Sequence, residues 1–142
     1  LPKNQWISFQ VGPETYAHPI ANIKEIIPFT TPAPVPGAPN GVEGILNIRG
    51  SAVTILSGRA LLSQKVPKER YKWRVIILEI EASQVGISVD SIGDIIALNS
   101  SDAEWMARGD QREPIKGTIL KDDQLYILTD FSECVHNDNE GQ

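Results

Sequence analysis

Apolar residues along this chain fall in short runs rich in Ile, Val and Leu, and most runs are closed by Gly, Pro, Asn or Asp. Runs of this kind predict β-strands. Side chains branched at Cβ fit a pleated, half-buried surface, and the flanking residues supply turn geometry. The pattern places strands at 6–11, 16–19, 44–48, 52–56, 73–81, 84–89, 94–98, 116–120 and 124–129. Tight turns are expected at Gly12-Pro13-Glu14-Thr15, at Lys121-Asp122-Asp123-Gln124 and just before Gln84. Helices are predicted to be few and short: one turn at 21–25, one at 58–63 and a last one at 131–135.

Two longer connections interrupt the strands. Residues 28–41 hold five prolines between positions 28 and 39, whose missing amide donors and fixed φ angles predict an extended, rigid surface connector. Residues 97–114 are polar and broken by Gly and Pro, with a helical turn expected at 103–107. Trp105 in that loop reads either as a cover over a barrel mouth or as an exposed contact residue.

The chain also repeats itself weakly. Setting 16–27 on 85–96 puts Ile20 on Val89, Ile23 on Ile92, Glu25 on Asp94, and Ile26-Ile27 on Ile95-Ile96. A second match sets Gly44 on Gly117, each opening a strand, hairpin and strand. Two halves of the same order predict two small β-barrels of about five strands that share an apolar seam, since neither is large enough to bury much core alone.

Composition then narrows the function. The 142 residues carry a net charge of -5, which argues against a nucleic-acid binder. No apolar run approaches the ~18 residues of a membrane helix. The one cysteine, Cys134, excludes an internal disulfide and fits a reducing compartment. The first residues, Leu1-Pro2, read as a trimmed start rather than an initiator Met.

No catalytic, cofactor or metal motif is present. His18 lies in a predicted strand and His136 near the polar tail, neither beside a nucleophile pattern. The glycines of 41–50 lack the GK[ST] ending of a phosphate loop. Asp122 and Asp123 sit where a hairpin turn favours Asp. A binding or scaffold role is therefore favoured over a hydrolase or ligand-binding barrel. Arg49, at the tip of Asn47-Ile48-Arg49-Gly50, and Glu25, among isoleucines, are charged residues in settings that allow a bidentate pair.

Four stretches together resemble the CheW-like domain: "FQVGPETYAHPIANIKEII", "GILNIRG", "VGISVDSIGDII" and "IKGTILKDDQLYILTDFSECV". The resemblance covers about residues 6 to 135. It implies an all-β fold of two small intertwined five-stranded SH3-like β-barrels with a few short helices. Subdomain 1 is expected at about 16–80, subdomain 2 at about 6–12 plus 84–135, and a polar tail at 136–142.

The resemblance further implies a non-enzymatic cytoplasmic adaptor, recruited to membrane receptor arrays. It would couple the cytoplasmic tips of transmembrane chemoreceptors to the regulatory domain of a CheA-type histidine kinase, without cofactor, nucleic acid or membrane insertion. Weak ring formation or self-association is implied as well. Carried over by position, the receptor-docking groove comprises Ile23, Glu25, Gly44, Arg49, Gly50, Gly86, Val89 and Asp90, with Glu25 able to pair with Arg49. The family's aspartate and leucine after this strand are Ser57 and Gly58 here, and a serine can still cap the following turn. That divergence suggests a pilus-type or other alternative pathway. The other reading is a CheW-like regulatory segment of a larger protein, either a kinase C-terminus or a receiver-fused adaptor.

Overall fold

The computed structural model describes residues 4–107 and 113–134. His136 and the expected tail lie outside them, as does the end of the expected last helical turn, of which residues 132–134 are helical. Eleven strands are present among the described residues: β1 (Gln5–Val11), β2 (Glu14–Pro19), β3 (Ile23–Pro28), β4 (Val42–Ile48), β5 (Ser51–Ser57), β6 (Arg74–Ile80), β7 (Ser83–Val89), β8 (Ser91–Ala97), β9 (Glu104–Trp105), β10 (Ile115–Lys121) and β11 (Gln124–Thr129). One helix, α1 (Gly58–Leu61), follows β5, and Ser57 caps it by accepting from the Ala60 N–H at 3.0 Å.

All nine expected strands are found. Two further strands stand where helix was expected. Residues 21–22 form a turn and Ile23 begins β3. Residues 100–102 form a 3₁₀ turn, after which β9 pairs with β10. Residues 23–27 have apolar side chains at i, i+3 and i+4, a spacing a helix turn shares, but β3 gains a full ladder with β6.

The chain divides into two units. Unit 1 takes Leu1–Asn22 and Ile92–Gln142, with its strands in the order β8-β1-β2-β11-β10-β9. Unit 2 is Ile23–Ser91, ordered β3-β6-β7-β5-β4. This partition differs from the expected 16–80 and 6–12 plus 84–135. β2 pairs with β1 and β11, and β7 lies between β6 and β5. Hydrogen-bond partners assign these strands, and hydropathy along the chain carries no information about them.

The repeat is a repeat of topology. Apart from β9, both sheets have one order once β3 is matched to β8, β6 to β1, β7 to β2, β5 to β11 and β4 to β10. In each unit one parallel pair, β5 with β7 or β11 with β2, joins strands distant in sequence. The cores correspond too. Val53, Ile55, Val75 and Ile77 are fully buried in unit 2, with Ile27, Phe29, Leu46 and Ile48 packed on them. Unit 1 buries Ala17, Leu98, Ile119 and Leu128, with Trp6 and Ile96 packed on them. In the repeat alignment Ile55 answers to Leu128, Leu46 to Ile119, Phe29 to Leu98, Ile27 to Ile96 and Val75 to Trp6. Each fully buried aliphatic side chain contributes roughly 1.5–3 kcal/mol over its exposed state.

The matched glycines have one physical cause. Both β4 and β10 carry a register shift at this point, between Val42 and Gly44 and between Ile115 and Gly117. Another segment then crosses each strand. Ala33, in the proline-rich connector, exchanges two 2.9 Å backbone hydrogen bonds with Ile45. β9 lies on Gly117 in the same way. A Cβ at Gly44 would stand 2.2 Å from the Ala33 carbonyl oxygen, and one at Gly117 2.5 Å from that of Glu104. The connector thus covers the edge of β4 rather than only spanning a distance.

His18 is a packed residue of unit 1. It is buried, stacks on Phe131 with ring centroids 5.5 Å apart, and bonds at both nitrogens. The Phe131 N–H donates to Nε2 at 3.0 Å, so the ring proton sits on Nδ1, which donates to the Pro19 carbonyl at 2.8 Å. Burial holds its pKa below the ordinary histidine value, against the opposing pull of Asp130 and the Pro19 bond. The folded state therefore binds fewer protons than the unfolded chain just below the unfolded value. The neutral ring's contribution is complete above about pH 6.5 and declines as pH falls toward the folded value. Chemical denaturation should show stability falling from about pH 7 to about pH 5.5. His18→Phe should be less stable by roughly 1–3 kcal/mol at neutral pH, because the Phe131 amide loses its acceptor, and should show a flatter profile. Gly44→Ala should cost about 1–3 kcal/mol, since φ there is +143°. It should also speed amide exchange at Ala33 and Ile45 as their bridge opens.

Candidate functional site

The β4–β5 hairpin turns through two residues, Arg49 and Gly50, between the paired Ile48 and Ser51. Their φ angles are +50° and +85°, the left-handed pair that a two-residue hairpin needs. Asn47 accepts the Gly50 N–H through Oδ1 at 2.9 Å, so the asparagine of "NIRG" holds the turn from which the arginine projects. The positive φ at Arg49 is not by itself a functional mark, because Glu81-Ala82 and Asp122-Asp123 adopt the same geometry in their hairpins.

Arg49 reaches Glu25 on β3. Nη2 donates to Oε1 at 2.8 Å and Nη1 to Oε2, a bidentate pair. β3 and β4 are opposite edges of the five-stranded sheet, so this pair links its two edges. Glu25 lies in one register row with Ile77, Gly86, Ile55 and Gly44. Its carboxylate therefore stands at the border of the face that carries the core isoleucines. The side chain of Glu25 is 20% exposed and that of Arg49 72%. Hydrogen bonding from Arg49 holds the Glu25 pKa below the usual carboxylate value, and the Glu25 carboxylate raises that of Arg49.

The other expected site residues lie elsewhere. Ile23 is half-buried at the start of β3, beside the register shift that precedes Glu25. Gly50 is exposed at the turn, and Gly44 is buried under Ala33. Gly86 and Val89 are buried, and a Cβ at Gly86 would stand 2.6 Å from Ile55 Cδ1 and 2.7 Å from Val75 Cγ1. Their part in any docking surface is to shape it from beneath. Asp90 belongs to a second bidentate pair, accepting from Arg59 Nε at 3.1 Å and Nη2 at 2.6 Å.

Sequence reasoning missed a polar cluster near that pair. Glu43, with 8% of its side chain exposed, accepts from Arg70 and from the Ser88 hydroxyl at 2.5 Å. Arg59 and Arg70 lie 5.3 and 5.5 Å from the ring of the buried Trp73, and Arg70 lies 4.6 Å from that of Phe29. These residues join positions 27 to 45 apart in sequence through no recognisable motif; the only signal was the run of cations at 59–74.

Removing the guanidinium tests the link. Arg49→Ala should return the Glu25 pKa upward toward the ordinary carboxylate range in an NMR titration. With the arginine present, the pair persists at neutral pH and is lost only as pH falls through the lowered value.

Residues 5–138 match the CheW-like domain. The chain is 31% identical to the chemotaxis protein CheW of Treponema pallidum (strain Nichols) over 134 residues, 89% of this chain and 79% of that protein. It is 30% identical to the chemotaxis protein CheW of Rhizobium meliloti (strain 1021) over 128 residues, covering 88% and 83%. The crystal structure of the scaffolding protein TtCheW from Thermoanaerobacter tengcongensis shares the fold, with a TM-score of 0.78 at 22% identity, covering 89% of this chain and 88% of that one. A domain match across nearly the whole chain, on a duplicated sheet topology, leads to one conclusion: this chain belongs to the CheW-like domain family.

Proposed function

We propose that this chain is a non-enzymatic adaptor that couples transmembrane chemoreceptors to a CheA-type histidine kinase at cytoplasmic receptor arrays. The observation that carries the reading is the Glu25–Arg49 pair, a charged fork held at an exposed hairpin tip, with the half-buried Ile23 two residues before Glu25 on β3. A guanidinium bound on one side by its own carboxylate, and exposed on the other, presents a fixed donor without the full entropy cost of ordering a free arginine. Ile23, on the same strand as Glu25, supplies apolar contact area in this reading. Together they suit one face of a helical hairpin, the form of a chemoreceptor tip. Ile23, Glu25, Arg49 and Gly50 form the contact in this reading, while Gly44, Gly86 and Val89 set the backbone that carries it.

The mechanism is geometric. The adaptor carries no chemistry to the kinase; binding favours one arrangement of the kinase over another by differential affinity. Departure from the usual family residues at Ser57 and Gly58 supports service in a pilus-type or other alternative pathway.

Co-sedimentation of the protein and its CheA-type kinase with receptor-containing membranes, read with kinase autophosphorylation, tests the proposal. The kinase should join the membranes and change activity only when the adaptor is present. Arg49→Ala and Ile23→Asp should each weaken receptor association by about tenfold or more with the fold retained. Arg49→Lys should rescue only in part, because an ammonium keeps the charge and loses the fork. Unchanged receptor affinity in folded variants would sink the docking assignment.

A further inference from the structure

Residues 59–74 hold six of the chain's 13 cations and a single carboxylate, Glu69, in a protein of net charge -5. These cations divide by residue type. The arginines turn inward. Arg59 is held by Asp90 and donates to the Lys65 carbonyl at 2.9 Å. Arg70 is held by Glu43, and Arg74 donates to the carbonyls of Lys72 and Trp73 at 3.0 and 3.1 Å. They pin both ends of the loop between α1 and β6. The lysines turn outward: Lys65, Lys68 and Lys72 are exposed and make no ion pair among the described residues. Lys65 and Lys68, with Arg59, Val66 and Pro67, line a depression of about 520 Å³. Val66 is 39% exposed and Tyr71 84%, so the same loop offers apolar contacts.

We propose that this loop docks an acidic segment of a partner polypeptide. Its carboxylates would meet Lys65, Lys68 and Lys72, and one apolar side chain would lie over Val66 and Pro67. Charge complementarity selects the partner: a locally cationic loop on an acidic protein attracts a short anionic segment. Other anions fit less well. A free phosphate fits less well because the guanidinium fork of Arg59 is taken by Asp90 and Arg70 is held by Glu43 through Nη1. A nucleic acid or an anionic membrane extends beyond the loop, where the rest of this acidic chain repels it. The surface is separate from the Glu25–Arg49 tip and does not rest on the receptor reading.

The test is fluorescence anisotropy with a labelled peptide of glutamates around a central leucine pair. Binding should weaken several-fold as salt rises through about 0.15 M. The exposed double variant K65E/K68E should bind about tenfold or more weakly with unchanged circular dichroism. Lys116→Glu, a charge reversal in unit 1, should leave binding unchanged, and alanines in place of the leucines should weaken it several-fold. Equal affinity of K65E/K68E and the parent overturns the proposal. So does equally tight, lysine-dependent binding of a single-stranded oligonucleotide or of phosphatidylserine vesicles. Self-association in sedimentation velocity that K65E/K68E abolishes would assign the surface to a second copy and overturn it as well.

Discussion

Unit 1 rests on the parallel pairing of β2 with β11, which joins the β1–β2 hairpin to the last of the described strands. The register sets Tyr16 beside Ile127 and Ala17 beside Leu128. Two bonds extend it: the Thr129 hydroxyl donates to the Ala17 carbonyl at 2.9 Å, and the Phe131 amide donates to His18. A ladder this short gains much from side chains that continue it. His18 is best understood here. Its ring replaces the next rung of the ladder, and so it is buried, neutral and fixed in one tautomer. In unit 2 the equivalent parallel pair, β5 with β7, runs from Thr54–Val85 to Ser57–Ser88, and the hydroxyl of Ser88 binds Glu43.

The strands were legible in the sequence because each needs only local information: a β-branched run and a turn. β3 was not, because Ile23, Ile26 and Ile27 satisfy helical and extended spacing alike, and only a partner strand decides. The repeat alignment sets Glu25, Ile26 and Ile27 on the predicted strand at 94–98. β9 is two residues long and exists because Gly117 leaves room for it. Membership of the two units was hidden for another reason. Both β2 and β7 are followed at once by a strand of the other unit, so no run of loop composition marks either crossing.

The candidate site divides in the same way. Arg49 and Glu25 could be paired from sequence because a hairpin tip and an apolar-flanked carboxylate are each recognisable, and the family resemblance joined them. Gly44 and Gly86 belong to the same register row as Glu25, yet their role is clearance. Nothing in a single sequence separates a glycine that meets a partner from one that admits a neighbouring carbonyl or an isoleucine methyl. Asp90 looked like part of the same surface and is spent on Arg59. The arginines of unit 2 thus act chiefly as braces, with Arg49 alone combining an internal partner and a largely exposed guanidinium.

The two units also differ in how they are drawn from the chain. Unit 2 is one uninterrupted stretch, Ile23–Ser91, while unit 1 is split around it. During synthesis every strand of unit 2 is available once Ser91 has left the ribosome. The β1–β2 hairpin, which ends at Pro19, must wait for β11, which ends at Thr129, a delay of roughly 5–20 s at ~5–20 residues per second. The half that carries Glu25 and Arg49 is therefore the half that can be complete first. The β1–β2 hairpin spends that interval with its β2 edge unpaired, in need of whatever shelters exposed strands in the cell.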